Sequence, residues 1–126
     1  MCSLRQWTSM SSRNELLYLG HMLDHARRAY AKASAVTREQ FFENEETHVF
    51  VTHFIQIVGE AAGRIPPEVT NAHPEIDWQR ITGMRHKIVH DYFEVDLAVV
   101  WDVARNDLPF LIAALEKITP PEPPSA

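Results

Sequence analysis

Residues 85–92 read Arg-His-Lys-Ile-Val-His-Asp-Tyr, so eight consecutive positions hold two histidines, an arginine, a lysine, an aspartate and a tyrosine. The guanidinium of Arg85 is a planar, permanently charged fork suited to gripping a phosphate. Histidine, with an unperturbed pKa of about 6.5, both takes and gives protons near neutrality. Together these are the parts needed to cleave a phosphodiester. RNA supplies its own nucleophile, the 2′-hydroxyl. The protein then needs only a base for that hydroxyl, an acid for the leaving oxygen and a cation over the transition state. No metal and no organic cofactor is required for that chemistry.

Geometry sets a condition on it. On a straight helix Arg85 and His90, five positions apart, point about 140° away from each other. Either the helix ends near His90 or Arg85 reaches round it. A two-fold dimer would present two such motifs across one cleft, supplying one histidine as base and another as acid.

Other readings of the same residues stand beside this one. His86 and His90 are four apart, as are His21 and His25, a spacing that binds metals on helices; Asp91 and Glu94 are the carboxylates near the first pair. For His21 and His25 the plainer expectation is a partly exposed helix face. Arg85 alone would suit an ion pair with Glu60 or Asp91, and Glu60 is expected to be its buried partner. Lys87 is either an RNA-backbone contact or a solvated lysine. His48, His53 and His73 carry no functional assignment.

The elements that must position these residues are helical. Leu16, Leu19, Leu23, Ala26, Tyr30 and Ala33 recur at spacings of three and four, behind a Ser12/Glu15 capping-box pattern, which predicts a helix over about 12–34. Thr37 and Gln40 repeat the capping pattern ahead of Phe41-Phe42, predicting a short helical turn that tucks both rings onto the core. From Glu45 to Ile65, Phe50, Phe54, Ile57, Ala61 and Ile65 form one stripe and Val51, Ile55, Val58 and Ala62 another. Gly59, Ala62 and Gly63 would let a neighbouring backbone approach closely, and Pro66-Pro67 should stop the helix. Residues 66–76 are expected to be loop, with Asp77 as the N-cap of a helix through Ile81, Met84 and Ile88 that delivers the motif at its C-terminal end. The stripe Leu97, Trp101, Ala104, Leu108, Leu111, Leu115 and Ile118 predicts a last helix, kinked or split near Asn106-Asp107-Leu108-Pro109. No strand-like alternation is evident. The expected fold is all-α, an antiparallel four- to five-helix up-and-down bundle spanning 12–118, between a flexible tail (1–11) and a Pro-rich disordered tail (119–126).

Composition narrows the function classes. With 126 residues, 45% of them hydrophobic, the chain suits one domain. A net charge of −5 argues against a protein that coats nucleic acid non-specifically, which needs many cations to replace phosphate counterions. Cys2 is the sole cysteine, so an internal disulfide and a cysteine zinc cluster are excluded, and the cytoplasm is the expected compartment. No stretch approaches the roughly 20 apolar residues of a membrane span, and no membrane partner is expected. Either Met1 or Met10 would serve as a start.

The motif also carries a resemblance. Arg85, His90 and Tyr92 in the pattern Arg-x-x-x-x-His-x-Tyr, after Gly83-Met84 and before Phe93-x-Val95-Asp96-Leu97, are similar to the HEPN superfamily, in particular the HepT-like ribonuclease toxins of the HepT/MntA toxin–antitoxin type. Gly59-Glu60-Ala61-Ala62, Trp78 with Ile81, and the segment from Val99 through Pro109 share that likeness, which covers about residues 14–118. The resemblance implies a bacterial, homodimeric, metal-independent endoribonuclease with its cleft at the dimer interface. Arg85 would hold the scissile phosphate, His90 would carry acid–base chemistry, and His86 and Asp91 would support them. The family usually has a polar residue, often asparagine, after the arginine; here it is His86. The resemblance further implies a minimal nucleotidyltransferase (MntA-like) antitoxin as partner, attaching AMP to Tyr92. A helical partner module that has lost catalysis, acting only through the nucleotidyltransferase, is the alternative from another function class.

Overall fold

The computed structural model describes the backbone of residues 2–91 and 94–119 and the side chains of 17–84, 87, 88 and 95–119. Four principal helical pieces build an all-α bundle among these residues. They are α1 (Cys2–Ser34), α3 (Glu45–Gly63), α5 (Trp78–Ile88) and a composite last piece, with two six-residue connectors, α2 (Arg38–Glu43) and α4 (Pro67–Ala72). Helix α1 lies along α3 and the end of the chain, and α3 packs in turn on α5.

The bounds of α1 take in residues 2–11, expected as a loose tail. Nothing in 2–19 is proline or glycine, so no residue there stops the helix from running back past Ser12. Its buried side is Leu19, Met22, Leu23, Ala26, Ala29 and Ala33, with Tyr30 only half-buried. Connector α2 forms as its capping pattern predicts. Thr37 Oγ1 accepts from the Gln40 amide at 3.1 Å and Gln40 Oε1 accepts from the Thr37 amide at 3.0 Å. Phe41 is fully buried and packs on Trp101, ring centroids 5.2 Å apart, while Phe42 stays half-buried.

Asn44 caps α3 through the Thr47 amide at 3.1 Å. The two apolar stripes of α3 then part company: Val51, Ile55, Val58 and Ala62 are core, whereas Phe50, Phe54, Ile57 and Ala61 are partly covered and Ile65, just past the helix, is buried. The helix closes at Gly63, where an added Cβ would meet Thr82 Cγ2 of α5 at 3.9 Å.

Two expectations need correction. The stretch 66–76 is not all loop: Pro66 is extended (φ −63°, ψ 151°) and Pro67 opens α4. Proline's missing N–H and fixed φ, which end a helix, also suit its first turn. There is also a small β ladder. Val89–Asp91 (β1) pairs antiparallel with Glu94–Val95 (β2), in register Val89 with Val95 and Asp91 with Glu94, with an irregularity between the pairs. Strands of three and two residues are too short to show alternation.

The last piece is split as expected. Helix α6 (Leu97–Asp102) passes into a π-helical segment, Val103–Asp107, and then into α7 (Leu108–Ile118). The Leu108 amide donates to the Val103 carbonyl five residues back. The wider turn sits just before Pro109, which has no N–H to donate and whose ring would crowd the carbonyl of a regular preceding turn. Val100, Val103, Ala104, Leu108, Leu111 and Leu115 are buried along this piece. No helix is long and apolar enough to cross a membrane among the described residues. Residues 120–126, expected to be a disordered tail, lie outside the described residues.

Candidate active site at the end of the fifth helix

Helix α5 is fixed at both ends. At its start Asp77 Oδ1 accepts from the Arg80 amide at 3.1 Å, and the Trp78 indole N–H donates to the His73 carbonyl at 2.9 Å. Arg80 also reaches Asp107 of the π segment, Nη2 to Oδ1 2.6 Å. Along its length Ile81, Met84 and Ile88 are buried. Helix α5 ends at Ile88, whose carbonyl accepts from the Asp96 amide at 2.8 Å. Asp96 then caps α6, its carboxylate accepting from Ala98 and Val99 amides at 3.1 and 3.3 Å. The segment between residues 88 and 96 is thus pinned at its base to two helix ends.

The straight-helix condition does not hold across the motif. Arg85 and His86 belong to the last turn of α5, while His90 and Asp91 belong to β1. The chain leaves the helix between Arg85 and His90. The side chains of Arg85, His86, His90 and Asp91 lie outside the described residues, as does Tyr92 altogether. Lys87 is exposed. Lys87 stands in the last turn of α5, where the partial negative charge of the helix C-terminus favours a cation.

Glu60 is exposed on α3, so the burial expected for it is not found. It stands on the wrong side of the helix for burial: Val58 and Ala62 face the core, and position 60 falls between them, about 180° from their mean direction. His21 is exposed and His25 half-buried, the partly exposed face expected for this pair. The His25 ring nitrogen Nδ1 bonds to the His21 carbonyl at 2.6 Å, and the ring packs on Phe54, centroids 5.1 Å apart. Among the described residues no three His, Cys, Asp or Glu side chains gather as a metal site. The His86/His90 pair lies outside that comparison.

Beside β2 runs a groove that sequence reading missed. It is lined by His48, Val49, Thr52, His53 and Gln56 of α3 with Val95 and Leu97. The signal available was a polar run, His48, Thr52 and Gln56, at intervals of four in an otherwise apolar helix. Its other wall comes from a distant stretch of chain.

Comparison with known proteins agrees with the family resemblance of the sequence. The family model described as "Ribonuclease HepT-like" matches residues 22–118. A protein of Thermococcus cleftensis named "Probable ribonuclease HepT" is 38% identical over 80 residues, covering 64% of this chain and 73% of the relative. A Methanocaldococcus jannaschii protein named "Putative RNase MJ1216" is 34% identical over 80 residues, 64% of this chain and 66% of that one. "Putative RNase TTE0752" of Caldanaerobacter subterraneus subsp. tengcongensis is 29% identical over 102 residues, 80% of this chain and 90% of its own. No solved structure matches the chain. With a family match running from α1 to the end of α7 and the motif straddling the end of α5, this chain belongs to the HepT-like ribonuclease family.

Proposed function

We propose that this protein is a metal-independent endoribonuclease, the toxin of a toxin–antitoxin pair, acting through Arg85 and His90 at a cleft between two copies. The observation that carries the reading is the end of α5 at Ile88, which leaves Arg85 on the helix and His90 on β1, together with membership of a ribonuclease family. In this reaction a base removes the proton of the RNA 2′-hydroxyl and the oxygen attacks the adjacent phosphorus. The bond to the 5′-oxygen breaks as an acid protonates it, leaving a 2′,3′-cyclic phosphate and a free 5′-hydroxyl. His90 exchanges protons, Arg85 holds the phosphate and offsets its growing charge, and His86 and Asp91 support them. Two copies supply the second histidine.

Tyr92, two residues past His90, is the control point. AMP attached there by a nucleotidyltransferase antitoxin sets phosphate charge beside Arg85, filling the anion site and repelling RNA.

RNA cleavage in EDTA, wild type against Arg85→Ala and His90→Ala, tests the catalytic reading. Full activity in EDTA and its loss in both variants is expected. Activity abolished by EDTA would favour a His86/His90 metal site, and a wild type inert on several RNAs would favour the silent partner module. For Tyr92 the test is intact mass after incubation with the partner enzyme and ATP. An unshifted mass, or the same shift in Tyr92→Phe, would sink the modification.

A further inference from the structure

The outer side of α1 and α3 gathers cations over aromatic rings. From Leu17 to Ser34, α1 carries Arg27, Arg28 and Lys32 against a single carboxylate, Asp24, in a chain of net charge −5. Arg27 turns to Glu116 of α7, 3.0 Å away. Arg28 and Lys32 turn instead onto two rings of α3. The Arg28 guanidinium carbon stands 5.9 Å from the Phe54 ring centre, and Lys32 Nζ stands 5.4 Å from that of Phe50. The rings touch each other, centroids 4.5 Å apart, and both stay half-buried. Histidines border them on either side, His25 at 5.1 Å and His53 at 5.6 Å from Phe54. Two carboxylates oppose the cations: Asp24, 3.1 Å from Arg28, and exposed Glu46, one turn before Phe50.

These residue types define the partner's chemistry. A cation held over a ring keeps its N–H groups free to donate, and Lys32 makes no ion pair among the described residues. Exposed cations attract an anionic ligand, and a half-open pair of rings offers faces on which flat rings stack. A small anion would use the cations alone, whereas a single nucleic-acid strand presents phosphates and flat bases in alternation. We propose that this face binds single-stranded RNA, with bases stacked at Phe50 and Phe54 and phosphates at Arg28 and Lys32. The choice of polymer rests on the ribonuclease reading.

The face lies close to the candidate active site. His53, which meets the Phe54 ring on one side, lines on its other side the groove walled by Val95 of β2. Val95 is in turn the ladder partner of Val89, on the strand that carries His90. The rings and that strand are thus separated by the width of α3, about 10 Å. A strand of RNA held at His90 crosses α3 within a few nucleotides and meets the rings and cations there.

Anisotropy of a labelled single-stranded RNA on the full His90→Ala chain, which should bind without cutting, tests the face. Adding Arg28→Gln with Lys32→Gln should weaken binding about tenfold and lower the slope of log affinity against log salt by about 1.4, as two lost phosphate contacts on a single strand would. Phe54→Leu keeps an apolar side chain but no ring, and should weaken binding about tenfold with the salt slope unchanged. Asp24→Asn frees the Arg28 guanidinium and should tighten binding, a gain that damage to the fold does not produce. Arg64→Gln, at an exposed cation past the end of α3, is the control and should leave affinity as it was. The proposal is overturned where the double variant binds like the control, where Phe54→Leu has no effect, or where Asp24→Asn brings no gain. Lowered melting temperatures with unchanged RNA affinity would likewise overturn it, leaving the cation–ring pairs as braces between α1 and α3. So would loss of a dimeric mass in the variants, which would make the face a contact between copies. Because the readout is binding, the two readings fail separately. A wild type that cleaves nothing while binding follows this pattern upholds the face and sinks the ribonuclease reading; cleavage with binding indifferent to all three changes does the reverse.

Discussion

The end of α5 and the outer side of α3 are built on opposite plans. At α5 the groups suited to chemistry are consecutive in sequence and sit on a short, firmly anchored support: Ile81, Met84 and Ile88 are buried, and the Ile88 carbonyl is tied to Asp96. On α3 two apolar stripes of similar weight are laid side by side, yet only Val51, Ile55, Val58 and Ala62 are taken into the core. Phe50 and Phe54 remain half-open beneath Lys32, Arg28 and His25. The first region is tied down at both ends of its helix. The second keeps apolar surface partly open.

The largest effects should therefore come from α5 and β1. Arg85→Ala and His90→Ala should each lower the rate of RNA cleavage about 10³-fold, the scale of a lost acid–base or transition-state contact, with circular dichroism and melting temperature little changed. An equal loss from Phe54→Ala would break the contrast between the two regions. Next, Ile88→Ala should cost about 3 kcal/mol in urea unfolding, because a fully buried side chain is cut back where α5 hands over to β1. Activity should fall more steeply than stability, since the base of the hairpin loosens. A loss of stability with activity intact would mean that Ile88 does not position the site.

Away from both regions the effects should be smaller. Thr37→Ala removes one half of a capping box and should cost about 1 kcal/mol without touching cleavage. Arg80→Ala breaks the 2.6 Å pair with Asp107, but Arg80 is half-exposed, so less than about 1 kcal/mol is expected. A larger cost there would show that the π segment depends on this pair.

Local signals were the legible ones. The caps at Thr37 and Asp77 each lie within a few residues of what they cap, and the break before Pro109 is written into four consecutive residues. The family resemblance carried by 85–92 was legible for the same reason, those residues being contiguous. What depended on distant chain was not. β1 and β2 pair over too few residues to show a period, Pro66-Pro67 reads equally as the end of one helix or the start of another, and Glu60 fell on the exposed side of α3. His48, His53 and Thr52 acquire meaning only when Val95 and Leu97 are folded against them. Periodicity also could not tell which apolar stripe of α3 would be buried, because that choice belongs to α1 and its long cations.

The central claim is that the catalytic groups are complete only where the end of α5 in one copy meets that of a second copy. Cleavage rate per chain, measured across a dilution series alongside the mass of the species present, tests it most directly. The account predicts that activity per chain falls in step with the dimer fraction and is lost in the monomer; a rate per chain that stays constant as dimers dissociate would contradict it.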